Sequence, residues 1–69
     1  MDPETVSLLR WLRRQLRQPT PARERLEAAV LYDDSEEVRR LVALAPFSDA
    51  QRHHVEELLD AWEARHGRR

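Results

Sequence analysis

Apolar side chains recur at helical spacing along three stretches of this chain. In the first stretch they cluster on one side of a helix at 100° per residue; this set is Leu8, Leu9, Leu12 and Leu16. Two later stretches follow the same i, i+3, i+4, i+7 rule, with Val38, Leu41, Val42 and Ala45 in one and Val55, Leu58, Leu59 and Trp62 in the other. No apolar and polar alternation of strand length is visible, so the pattern predicts helices throughout.

The stretch around residues 21–32 departs from this rule. Three of its apolar side chains face one side and three point elsewhere; these are Leu26, Ala29 and Val30, and then Ala28, Leu31 and Tyr32. A helix that is apolar on nearly all sides is either central in its bundle or covered by another chain. Both interpretations are open from the sequence.

Prolines and capping residues predict where the helices begin and end. Asp2 and Thr20 each precede a proline, which is the arrangement of an N-cap followed by the first helical residue. Asp34 with Glu37, and Ser48 with Gln51, have the spacing of capping boxes. We therefore predict an all-α fold, a compact bundle of four short helices at about 3–17, 21–32, 35–45 and 49–66. Residues 1–66 are expected to form a single helical domain, with Gly67 as a C-cap and 67–69 as a short basic C-terminal tail.

The chain is short for an independent domain. It has 69 residues and no cysteine, so neither disulfides nor thiolate metal sites can supplement a thin core. Association with another chain is the remaining supplement, which predicts a homo-oligomer or a bound partner. No apolar run approaches the roughly 20 residues of a membrane span, and we expect a cytoplasmic protein.

Trp11 lies off the leucine side of the first helix, about 110° from its centre on a helical projection. One interpretation is a tryptophan along the edge of the core. The other is an exposed anchor for a partner, because Trp and Arg dominate interface hot spots. If Trp11→Ala lowers stability but leaves association unchanged, the first interpretation is favoured.

Arginines form a second surface on the first helix, made of Arg10, Arg13, Arg14 and Arg17. An acidic stripe on the fourth helix, Glu56, Asp60 and Glu63, has the intervals of Arg10, Arg13 and Arg17 read backwards. The two could pair in antiparallel apposition, within the chain or between two copies, or simply be solvated. The arginines could instead contact phosphates, or lie on an anionic membrane surface. Net charge is only −1, and a helix-turn-helix built on residues 21–45 would point Glu36 and Glu37 at the DNA backbone.

Candidate chemistry is sparse. His53 and Glu57 stand one helical turn apart, and Glu63 with His66 has the Glu-x-x-His spacing of di-iron proteins, but each pair lacks the further ligands that a metal site needs. Ser48 and Thr20 are explained as N-caps, and the only glycine is Gly67, so no phosphate-binding glycine loop exists. The sequence therefore predicts neither an enzyme nor a cofactor.

These observations favour a non-enzymatic protein-interaction module. Its expected partner is another protein or a second copy of the chain, and the alternative is a small nucleic-acid-binding regulator that uses the arginines. The residues predicted to bind the partner are Arg10, Trp11, Arg13, Arg14, Arg17, Leu31 and Tyr32.

Overall fold

The computed structural model describes residues 1–66 and contains four α-helices. They are α1 (Pro3–Gln15), α2 (Pro21–Leu31), α3 (Ser35–Leu44) and α4 (Asp49–Arg65), and no strand is present in the described part of the chain. The predicted all-α bundle is confirmed. Gly67 and the basic tail at 67–69 lie outside the described residues.

The predicted capping residues begin all four helices. Asp2 and Thr20 accept from the backbone N–H three residues on, at 2.9 Å and 3.3 Å. At α4 the capping box is complete, because the Ser48 N–H also donates to the Gln51 side chain at 2.7 Å. At α3 only half of the expected box forms: Asp34 accepts from the Glu37 N–H at 3.2 Å, whereas the Glu37 carboxylate is taken by Arg40.

The first helix ends two residues earlier than expected, at Gln15. Leu16 leaves the helical region of the backbone, at φ −103° and ψ 79°. Gln18, which precedes Pro19, is restricted to extended conformations. The guanidinium of Arg23 compensates for the lost helical bonds, because it donates to the carbonyl oxygens of Leu16 and Arg17 at 3.1 Å and 3.2 Å. This corner therefore joins α1 to α2 through a side chain as well as the backbone.

The core lies between α1 and its neighbours. α1 packs against both α2 and α4, and α2 packs against α3. The buried apolar side chains come from all four helices and from the loop before α4, and they are Leu8, Leu9, Leu12, Leu26, Ala29, Val30, Val38, Val42, Phe47, Val55, Leu59 and Trp62. One copy of the chain thus encloses its own core. No helix within residues 1–66 has the length and apolar character that crossing a bilayer requires.

Candidate functional site

An apolar groove opens where the end of α1, the start of α2 and the end of α3 meet. Its volume is about 520 Å³. Leu16 and Leu41 are half-buried in it, and Leu44 is 72% exposed on its wall. The charged side chains that line it are both arginines, Arg17 and Arg25. The groove is therefore an apolar surface with a positive rim.

Two arginines fix the helix ends that frame this groove. Arg23 binds the last carbonyls of α1, as described above, and also lies 3.5 Å from Glu27. Arg52 of α4 donates to the carbonyl oxygens of Val42 and Ala45 at 3.1 Å and 2.6 Å. Each guanidinium satisfies carbonyls that a helix C-terminus leaves without a partner in the helix. The walls of the groove are thereby held at a set position.

A second exposed apolar surface lies at the opposite end of α2. Leu31 is 54% exposed and Tyr32 83% exposed. Val30, the residue before them, is fully buried, so the last turn of α2 passes from core to solvent within one residue. Within α2, Leu26, Ala29 and Val30 are buried inside the chain. Leu31 and Tyr32 remain exposed at its end.

Trp11 lies at the edge of the core. It is half-buried, with its ring edge-on to Phe47 at a centroid distance of 5.3 Å and stacked on His54 at 5.7 Å. This is the first of the two interpretations that the sequence allowed. Phe47 lies in the loop between α3 and α4, where helical periodicity gives no information about packing.

The arginines of α1 do not act as one set. Arg13 donates to both carboxylate oxygens of Glu27 at 3.0 Å and 3.3 Å, and this hydrogen bonding raises the Arg13 pKa. Arg10, Arg14 and Arg17 are exposed, and none of the three belongs to an ion pair among residues 1–66. Arg17 also lines the groove, so this arginine face and the groove are continuous.

The acidic stripe of α4 pairs with α3 and not with α1. Arg39 binds Glu56, Asp60 and Glu63 at 2.6 Å, 3.0 Å and 2.8 Å. The hydrogen bond to Glu63 is the largest influence on Arg39 and raises its pKa above the ordinary value. The suggested pairing of this stripe with Arg10, Arg13 and Arg17 of the same chain is therefore wrong, because a single guanidinium from α3 occupies it.

Sequence reasoning missed two polar clusters that join distant parts of the chain. Glu63 is buried and also accepts a hydrogen bond from Ser35. His66 lies between two carboxylates: its Nε2 is 2.8 Å from Asp2 and its Nδ1 is 2.8 Å from Asp33. Both clusters depend on residues that are far apart in sequence, and no motif in the chain signals either.

The His66 cluster also affects the start of α1. Desolvation of Asp2 raises its pKa, but hydrogen bonds from the Thr5 N–H, the Thr5 hydroxyl and His66 outweigh this effect and hold the pKa at about 2. Asp2 therefore remains ionised in the folded chain well below the ordinary range of an aspartate. Asp2 therefore caps α1 and also binds His66 at the end of α4.

Of the two candidate metal pairs, Glu63 and His66 each bind other residues of the chain. Glu63 binds Ser35 and Arg39, whereas His66 binds Asp2 and Asp33. His53 and Glu57 are exposed and 3.8 Å apart. Among the described residues no group of three or more His, Cys, Asp or Glu side chains is placed to hold a metal ion.

Searches for similar proteins found no matching family model, curated protein or solved structure.

Proposed function

We propose that this protein is a cytoplasmic, non-enzymatic interaction module that associates with other copies of itself through exposed apolar surface. The observation that carries the proposal is the exposure of Leu31, Tyr32 and Leu44 in a chain whose core is already complete. These side chains lie outside the buried core, and Leu31 and Tyr32 are neighbours on the surface. Exposed apolar surface bordered by charge is typical of protein-binding sites.

The composition of the surface supports the same proposal. Tyr and Arg are enriched where proteins bind one another. The exposed set here includes Tyr32 at one end of α2, and Arg17 and Arg25 beside the apolar groove at the other end. Trp11 is not counted among the exposed contact residues, because its ring packs against Phe47 and His54. The predicted contact residues that retain an exposed face are therefore the arginines, Leu31 and Tyr32, to which Leu44 is added.

Sedimentation equilibrium over a concentration series tests this proposal. Because the exposed surfaces are small, we expect a dissociation constant of about 10 µM to 1 mM, as for transient contacts. The average mass should rise above the 8.2 kDa of one chain within that range. The double variant Leu31→Ser, Tyr32→Ser should weaken association at least about tenfold. A wild-type mass that stays at 8.2 kDa up to about 1 mM would refute the proposal.

A second candidate, nucleic-acid binding, is favoured by one observation only: Arg10, Arg14 and Arg17 lie together on α1 without carboxylate partners in the described chain. The helix-turn-helix version has little support, because Arg39 and Arg40 of α3 are both occupied by carboxylates. Filter binding to duplex DNA at several salt concentrations decides the question. Phosphate contacts require a steep salt dependence, and replacing the three arginines by glutamine should reduce the log–log slope by about 3.

A further inference from the structure

The end of α2 forms a rigid projection, which we call the knob and define as Leu31 and Tyr32. The turn that follows is fixed by backbone hydrogen bonds from Asp33 to Val30 at 3.1 Å and from Asp34 to Ala29 at 2.9 Å. Asp33 adopts a left-handed conformation with φ 57°, which aspartate tolerates better than most residues. Its carboxylate is also tied to His66 of α4 at 2.8 Å. A surface ordered in advance loses little conformational entropy when it binds.

The knob is bordered by negative charge. Asp33 and Asp34 follow it directly, and Glu36 lies in the first turn of α3; all three are exposed. The groove at the other end of α2 has the opposite sign, since Arg17 and Arg25 are the charged residues that line it. Its volume of about 520 Å³ lies within the range of pockets that enclose whole ligands, so it has room for two side chains. The apolar knob therefore matches the apolar groove, and the acidic residues beside the knob match the arginines that line the groove.

The two surfaces cannot meet within one copy. α2 has 11 residues, which places its ends about 16 Å apart at 1.5 Å per residue, and the helix itself separates them. Two unlike surfaces on one molecule can be satisfied by a heterologous contact, in which the knob of one copy meets the groove of the next, or by a two-fold dimer, in which each copy seats its knob in the groove of the other. The heterologous contact leaves one knob and one groove unused in every dimer, so assembly continues into rings or open chains, whereas the two-fold dimer uses all of them and stops at two copies.

We propose that the knob of one copy docks into the groove of a second copy. This inference rests on the proposed self-association and specifies its geometry. In the docked pair Leu31 and Tyr32 lie against Leu16, Leu41 and Leu44, and the acids beside the knob face Arg17 and Arg25.

Mixing two defective variants tests the geometry. The knob variant carries Leu31→Ser and Tyr32→Ser, and the groove variant carries Leu44→Glu, which sets a carboxylate against the acids of the knob. Both change exposed side chains, so each should keep the helical circular dichroism of the wild type. Each variant by itself should associate at least about tenfold more weakly than the wild type. An equimolar mixture should form heterodimers that grow no further, because only one intact knob and one intact groove remain.

Nuclear magnetic resonance locates the contact in the same mixture. Unlabelled groove variant added to ¹⁵N-labelled knob variant should shift amide signals around Leu41, Leu44 and Arg25. Unlabelled knob variant should leave those signals in place at the same concentration. His53→Glu is the control for added negative charge, since His53 is exposed and lines neither surface, and it should associate as the wild type does.

The possible failures have different meanings. If the wild type associates but the mixture yields no heterodimer, the contact joins like surfaces or other residues, and the knob-in-groove geometry is wrong while self-association stands. If the wild type stays monomeric, both proposals fall, and the groove receives a different protein or a small molecule. A charge exchange gives an independent check: Arg25→Glu and Glu36→Arg should each weaken the contact, and a mixture of the two should recover it.

Discussion

Glu63 is a charged residue with almost no access to water, being 4% exposed. Its carboxylate accepts from Ser35 and from Arg39, so a single side chain of α4 receives two donors of α3. A carboxylate in such a place is tolerated only when its oxygens are satisfied by donors. We infer that Glu63 fixes the position of α3 against α4.

Replacing Glu63 by alanine should therefore lower the free energy of unfolding by about 2–4 kcal/mol, because Ser35 and Arg39 lose their buried acceptor. Asp60→Ala is the matched control: Asp60 binds the same guanidinium but is 73% exposed, and its loss should amount to about 0–1 kcal/mol. Urea unfolding followed by circular dichroism measures both. Equal losses in the two variants would show that burial of Glu63 has no special weight.

Asp2 predicts an acid-dependent loss of stability. Its folded pKa of about 2 lies below the ordinary 3.8, so the unfolded chain takes up the proton first and stability is lost as pH falls from about 4 towards 2. Asp2→Asn keeps a good N-cap residue but removes the charge. Thermal unfolding of both proteins should show the wild type more stable above about pH 4, with the difference shrinking towards pH 2. A difference that is constant with pH would exclude this role.

At the scale of the helices, the sequence predicts beginnings better than ends. Asp2, Thr20, Asp34 and Ser48 all cap as expected, because an N-cap is a local contact across three residues. The end of α1 is missed by two residues, because it depends on a proline constraint together with Arg23 from the next helix. Local chemistry can be predicted from neighbouring residues, whereas a tertiary hydrogen bond cannot.

The start of α4 offers the sharpest test of a cap. Ser48→Ala removes the acceptor of the Gln51 N–H and should cost about 1 kcal/mol. Ser48→Asp supplies another good N-cap acceptor and should cost much less. Thermal or urea unfolding separates the two variants. If they lose the same amount of stability, an acceptor oxygen at position 48 for the Gln51 N–H is not what stabilises the start of α4.

At the scale of the whole molecule, helix packing decides which polar residues meet. The intervals of Glu56, Asp60 and Glu63 matched those of the α1 arginines, yet Arg39 of α3 binds all three. Spacing along a helix shows which side chains share a face but not which helix lies opposite. For the same reason the exposure of Leu44 and the groove around it could not be predicted.

The complete core predicts that one copy folds without a partner. If the dissociation constant is about 100 µM, association at about 10 µM protein adds only about 0.1 kcal/mol to stability. The thermal midpoint should therefore rise by only about 1–2 °C between about 5 µM and about 50 µM, with full helicity at both. An obligate oligomer would instead lose helicity on dilution and show a midpoint that rises more steeply with concentration. That result would mean that the exposed side chains of α2 and α3 belong to the folding core of the assembly, and that Leu31→Ser, Tyr32→Ser unfolds the chain instead of releasing a folded monomer.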